Sequence, residues 1–163
     1  MLAAVPIVPV RKEPADRSEQ ITQWLLDEPL ELLEAREKWS LLRSQIDGYE
    51  GWADNKQIKP APEGFDGQVH YVTAPFTQLA GKDHQWWLPH GTRLLLNAQG
   101  YTQGGYFADN GHCAPALPPL AASLETHARY YLGTSYLWGG RSIWGIDCSG
   151  LMQQIFGVHG IAL

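Results

Sequence analysis

Cys148 lies in the run Gly145-Ile146-Asp147-Cys148-Ser149-Gly150-Leu151, where a glycine-rich, aromatic loop gives way to an apolar periodic segment. A thiolate at the start of a helix sits beside unpaired backbone N–H groups and the positive end of the helix dipole, which stabilise it as a nucleophile. Asp147 can cap such a helix through a side-chain oxygen, and Ser149 adds a second polar group in the first turn. Glycines at 139, 140, 145 and 150 remove side chains where a substrate backbone could approach. The competing reading of a lone cysteine is a small buried hydrophobe. The flanking residues shift the weight towards the nucleophile.

A helix is needed to hold that cysteine. Leu151, Met152, Ile155 and Phe156 recur at i, i+1, i+4 and i+5, the spacing of one buried helical face, and Gly157 and Gly160 supply stop signals. Upstream, Ala121, Leu124, Ala128 and Tyr131 mark an amphipathic helix that ends at Gly133. Between the two, Thr134-Ser135-Tyr136-Leu137-Trp138 leads into the cysteine loop. The proline-rich run at 114–119 reads as a linker before this part.

The first sixty residues read as short strands. Val8-Val10, Thr22-Leu26, Leu30-Leu33, Trp39-Ile46 and Tyr49-Ala53 are separated by Lys-Glu-Pro, Asp-Glu-Pro and Asp47-Gly48. Asp-Gly between apolar runs is a hairpin signal, and several short strands in so few residues predict a small barrel. Residues 66–113 repeat the theme more faintly, with Val69-Tyr71-Thr73 alternating, then Gly91 to Leu96, then Gly100 to Phe107. Trp86 and Trp87 are consecutive, so in a strand they face opposite sides; one serves a domain interface or a ligand wall. The expected divisions are 1–60, 61–116 and 117–163.

Composition narrows the function. The 163 residues carry 12 Lys+Arg and 17 Asp+Glu for a net charge of -5, with no basic cluster to follow a phosphate backbone, so nucleic-acid binding is not expected. No stretch approaches a membrane span. Two cysteines, Cys113 and Cys148, are too few for a disulfide scaffold, and a nucleophilic Cys148 has to stay reduced. His70, His84, His90, His112, His127 and His159 are scattered, so neither a metal nor a cofactor is expected. His112, His127 and His159 read as solvated surface histidines. The N-terminus lacks a basic n-region and is interrupted by Pro6 and Pro9, a poor secretory signal. The expected location is the cytoplasm, or the periplasm or cell exterior if a signal has been removed.

Two resemblances sharpen this. Val10-Arg11 with Pro14, Gln23-Leu26, Glu28 to Leu33, Trp39 and Asp47-Gly48-Tyr49-Glu50-Gly51-Trp52 resemble a bacterial SH3-like domain, and 61–116 resembles a second, divergent one. In such domains Trp39 and Trp52 either line a groove or pack the barrel. Leu132 to Ser142, followed by Gly145 to Leu151, closely resembles the NlpC-type family of bacterial cell-wall cysteine peptidases, whose core is papain-like. The resemblance implies a mainly β N-terminal part followed by the helical front of an α+β papain-like domain. It implies hydrolysis of the γ-D-glutamyl–diamino acid bond of murein peptides that begin with a free L-alanine. Cys148 would be the nucleophile and form a thioester, Asp147 would receive the L-alanine amine, Ser149 would contact the D-glutamate, and Tyr136 would lie near the sulfur. The family carries its histidine base on a strand several dozen residues after the cysteine helix, so the expectation is a chain that stops at Leu163 within the catalytic domain. The alternatives are an inactive SH3-like module that binds wall peptide or glycan, and an acyltransferase or amidase on the same core.

Overall fold

The computed structural model describes residues 1–81, 85–108, 111–117 and 121–163. His84 and the linker residues Pro118 and Pro119 lie outside the described residues.

Alternation builds the first unit. Strands β1 (Leu2–Ala3), β2 (Ile7–Arg11), β3 (Gln20–Leu25), β4 (Leu30–Ala35), β5 (Trp39–Ser44), β6 (Glu50–Asp54) and β7 (Ile58–Lys59) follow in order. Five of them form one antiparallel sheet in the order β3-β2-β6-β5-β4, and β1 pairs β7. Val8 and Val10 point inward from β2 and meet Trp24, Leu30, Leu42 and Ala53 in a closed core. Gly48 takes φ +75 in the turn between β5 and β6, as the Asp-Gly signal predicts. Trp52 is buried with Arg36 stacked 4.4 Å over its ring, so it packs the barrel instead of lining an open groove. Trp39 is half-buried.

The second unit holds β8 (Gln68–Val72), β9 (Phe76–Ala80), β10 (Gln85–Pro89), β11 (Arg93–Leu96), β12 (Phe107–Ala108) and β13 (Cys113–Ala114). They form two three-stranded sheets, β10-β9-β12 and β11-β8-β13. Cys113 and Ala114 pair with Val72 and Tyr71, so the start of the expected linker belongs to this unit. Its core joins Val72, Leu79, Leu88, Leu94, Leu96 and Ala108 to Leu26, which follows β3 of the first unit. Trp86 packs against that core, whereas Trp87 on the other face is exposed against Phe76.

The last part contains α1 (Ala121–Arg129), β14 (Arg141–Ser142), β15 (Gly145–Ile146) and α2 (Cys148–Gly157). Tyr131, Ile146 and Ile155 form its core, with Leu124, Ala128 and Leu151 packed on it. The buried face of α2 is Gly150, Gln154 and Ile155, and Met152 is 44% exposed. The expected stripe is therefore rotated, because a glycine and a hydrogen-bonded glutamine carry the closest contacts to β14 and to the second unit.

His127 and His159 are buried, contrary to the solvated reading. His90, on the turn after β10, bonds Tyr131 Oη through Nδ1 at 2.8 Å and His127 Nδ1 through Nε2 at 2.8 Å, and His159 packs edge-on against His127. Burial, followed by the neighbouring His127 and His159, holds the His90 imidazole down to about 3, and burial also lowers His127. An unfolded histidine takes up a proton near pH 6.5, whereas folded His90 resists until far lower. Stability is therefore full above pH 6.5 and falls as the solution is acidified. The expected slope rises from about 0.7 kcal/mol per pH unit at pH 6.5 towards about 1.4 at pH 5 for each histidine held neutral. Urea melts across that range measure it, and His90→Gln should flatten it.

Candidate active site

Asp147 opens α2. Its φ of -105 and ψ of -178 are extended, and Oδ1 accepts hydrogen bonds from Gly150 N at 2.7 Å and Ser149 Oγ at 2.8 Å. Oδ2 accepts from Gly139 N at 2.8 Å. One carboxylate thus caps the helix and ties it to the preceding glycine loop. Ser149 and Cys148 are both exposed, and Cys148 is a free thiol. Asp147 itself is 7% exposed. Asp147→Ala should cost about 2 kcal/mol of stability, the upper range for a lost cap, and chemical denaturation reads that loss directly.

The loop is a small hairpin, which its glycines concealed. Arg141 pairs Ile146 and Ser142 pairs Gly145. Asp147 N donates to Gly140 O, Ile146 N to Ser135 O, and Leu137 N to Ile146 O. The isolated bridge between Tyr136 and Ile146 holds Tyr136 alongside the residue two before Cys148, with its side chain 69% exposed. Tyr136, Trp138 and Trp144 are all exposed on this part of the molecule. Ile146, Asp147 and Tyr136 are thus held in one hydrogen-bonded loop whose next residue is Cys148.

The described histidines are engaged elsewhere. His70 Nδ1 contacts Gln68 O, His112 Nδ1 contacts Thr77 Oγ1, and His159 Nδ1 contacts Leu117 O. His159 follows Cys148 by eleven positions, about 16 Å along a helix. Among the described residues, Cys148 has no hydrogen bond to any histidine, and no group of three His, Cys, Asp or Glu side chains could hold a metal. No helix among them is long and apolar enough to cross a membrane.

Contacts with the first unit are the part sequence reasoning missed. Gly139, at φ +70, lies against β3, where a Cβ would come within 2.9 Å of Gln20 O. Gln20 Nε2 donates to Trp138 O, and Trp138 Nε1 donates to Glu19. Arg141 donates from its backbone N to Gln23 Oε1 at 2.8 Å and from its guanidinium to Gln23 O at 2.9 Å. A second guanidinium nitrogen lies 3.2 Å from Glu28 Oε1. Burial pushes the Glu28 carboxyl up, and the Arg141 charge opposes that shift. The only legible signal was polarity: Gln23 and Glu28 are polar residues within or beside apolar runs.

Comparison with known proteins agrees with this architecture. The model of the bacterial dipeptidyl-peptidase SH3 domain matches residues 10–58, and that of the NlpC/P60 family matches residues 133–163. A gamma-D-glutamyl-L-lysine dipeptidyl-peptidase of Bacillus subtilis (strain 168) is 50% identical over 129 residues, covering 71% of this chain and 43% of that protein. The protein of the same name from Bacillus cereus (strain ATCC 10987 / NRS 248) is 27% identical over 170 residues, covering 87% and 51%. The chain spans about half the length of these curated relatives. Among solved structures, an NlpC/P60 family protein from Bacillus cereus ATCC 10987 superimposes with a TM-score of 0.87 at 19% identity, covering 99% of this chain and 73% of that one. An NlpC/P60 endopeptidase from Photobacterium damselae subsp. piscicida gives 0.78 at 20% identity, covering 99% and 43%. The barrel thus coincides with the match to the bacterial dipeptidyl-peptidase SH3 domain at residues 10–58, and the glycine hairpin with the capped cysteine helix coincides with the match to the NlpC/P60 family at residues 133–163.

Proposed function

We propose that this chain supplies the nucleophile and the substrate-reading residues of a cysteine peptidase that cuts the γ-D-glutamyl–diamino acid bond of murein peptides with a free N-terminal L-alanine. The observation that carries the reading is the exposed Cys148 thiol at the start of α2, fixed by the Asp147 cap. The names of the two Bacillus relatives supply the substrate class.

Cys148 Sγ, as the thiolate, attacks the γ-amide carbonyl, and its backbone N–H donates to the developing oxyanion. The C–N bond breaks, the diamino acid leaves as the protonated amine, and water hydrolyses the thioester to release the dipeptide. The thiol proton passes to a base and from there to the leaving amine. The described histidines are bonded elsewhere, so this reading assigns the base to residues other than these.

Asp147 can still read an ammonium. An ionised carboxylate offers about four acceptor sites, and internal partners take three of them. The remaining site suits the L-alanine amine, a charge-assisted contact in a water-poor position. The Ser149 hydroxyl donates a hydrogen bond to Asp147, so contact with the D-glutamate carboxylate requires that hydroxyl to rotate. Exposed Tyr136 flanks the same loop.

The direct test is incubation of the whole gene product with L-Ala-γ-D-Glu-L-Lys, reading free lysine by mass spectrometry. Release of lysine, abolished by acetylating the alanine amine, is the expected result. Binding of the peptide without release would instead establish the binding-module reading.

A further inference from the structure

We propose that Arg141 is a positioning residue for the Cys148 nucleophile, and that the SH3 barrel orients it through Gln23 and Glu28. The proposal rests on the peptidase reading above and adds the barrel to the machinery of the reaction.

Three observations converge on Arg141. First, it stands at the root of the nucleophile's mount. Arg141 pairs Ile146 across the hairpin, and Gly140 O just before it accepts from Asp147 N. Its Cγ lies 3.2 Å from where a Cβ on Gly150 would be, so the side chain runs directly beneath the first turn of α2. Second, the guanidinium reaches the middle of the same helix: Nη2 is 3.5 Å from Gln154 Oε1, and Gln154 Nε2 donates to His90 O at 2.8 Å in the second unit. Third, every short polar contact that fixes the guanidinium comes from the barrel. Gln23 accepts from both the backbone and the side chain of Arg141, and Glu28 provides the countercharge.

The burial is what makes this directional. Arg141, Gln23, Glu28 and Gln154 are all buried, so their contacts are not diluted by water. A planar guanidinium distributes donors along fixed directions, so shifting its barrel partners would move it as a rigid fork. Any such shift is transmitted to the hairpin that delivers Asp147 and to the turn that carries Cys148. Displacements of about 1 Å in a reacting group are enough to cost about 10²-fold in rate.

The test uses the whole gene product and two readouts. Arg141→Met and Gln23→Ala are compared with the parent for kcat and KM on L-Ala-γ-D-Glu-L-Lys, and for the rate of Cys148 alkylation by iodoacetamide, with thermal unfolding measured alongside. The expected result is a fall in kcat of about 10-fold or more with KM changed less than about two-fold, an altered alkylation rate, and a folded protein at the assay temperature. If Arg141→Met does not fold, Gln23→Ala and Glu28→Gln decide. Unchanged kcat in the folded variants overturns the proposal, as does a loss that only tracks the folded fraction. Alkylation needs no peptide, so a parent that cleaves nothing refutes the peptidase reading while an alkylation rate unchanged in folded variants separately refutes the positioning role.

Discussion

Replacing Cys148 with alanine should lower kcat/KM on the murein tripeptide by about 10⁴-fold or more, the scale of removing a covalent nucleophile, while peptide binding persists. The thiol is exposed and makes no hydrogen bond among the described residues, so its loss should change stability by less than about 0.5 kcal/mol. Activity and stability are thereby separated at one position. Paired measurements of turnover and of the unfolding midpoint check it: persistent hydrolysis would remove Cys148 from the chemistry, and a large drop in midpoint would give it a structural role instead.

Gly150→Ala should damage both turnover and stability, for the opposite reason. A Cβ on Gly150 would overlap Gly140 O, a backbone atom that cannot swing aside, and would press on Arg141 Cγ. Relief requires α2 to move away from the hairpin. Overpacking of this kind costs about 1–3 kcal/mol, and the displacement falls on the turn that bears Cys148, so kcat should drop about 10²-fold. Denaturant titration and steady-state kinetics on the purified variant measure the two effects. A variant with parental kcat would show that the first turn tolerates movement.

Local signals were readable where a residue's own chemistry dictated the structure. Asp147 before an apolar periodic run specifies a cap, Asp47-Gly48 specifies a tight turn, and alternation at Val8 and Val10 specifies a strand with one face inward. Positions set by tertiary partners were not readable. Met152 fits a helical stripe by spacing, but the stripe's direction is decided by Gly150 against Gly140 and by Gln154 against His90. His90, His127 and His159 are far apart in sequence and become one buried group only after the second unit, α1 and the end of α2 meet. Nothing local to Arg141 signals its role, because its partner Gln23 is 118 residues away.

The placement of Gly139 and Arg141 on β3 also bears on the border of the barrel sheet. β3 is an outer strand of the five-stranded sheet, and an outer strand with free backbone groups is a template for pairing with another chain. Here the loop at 138–141 occupies that border, with Gly139 laid on the β3 backbone and Arg141 bonded to Gln23 O. Without residues 138–141 that border of β3 would be uncovered. The cysteine loop is thus also a cover for the open border of the barrel sheet.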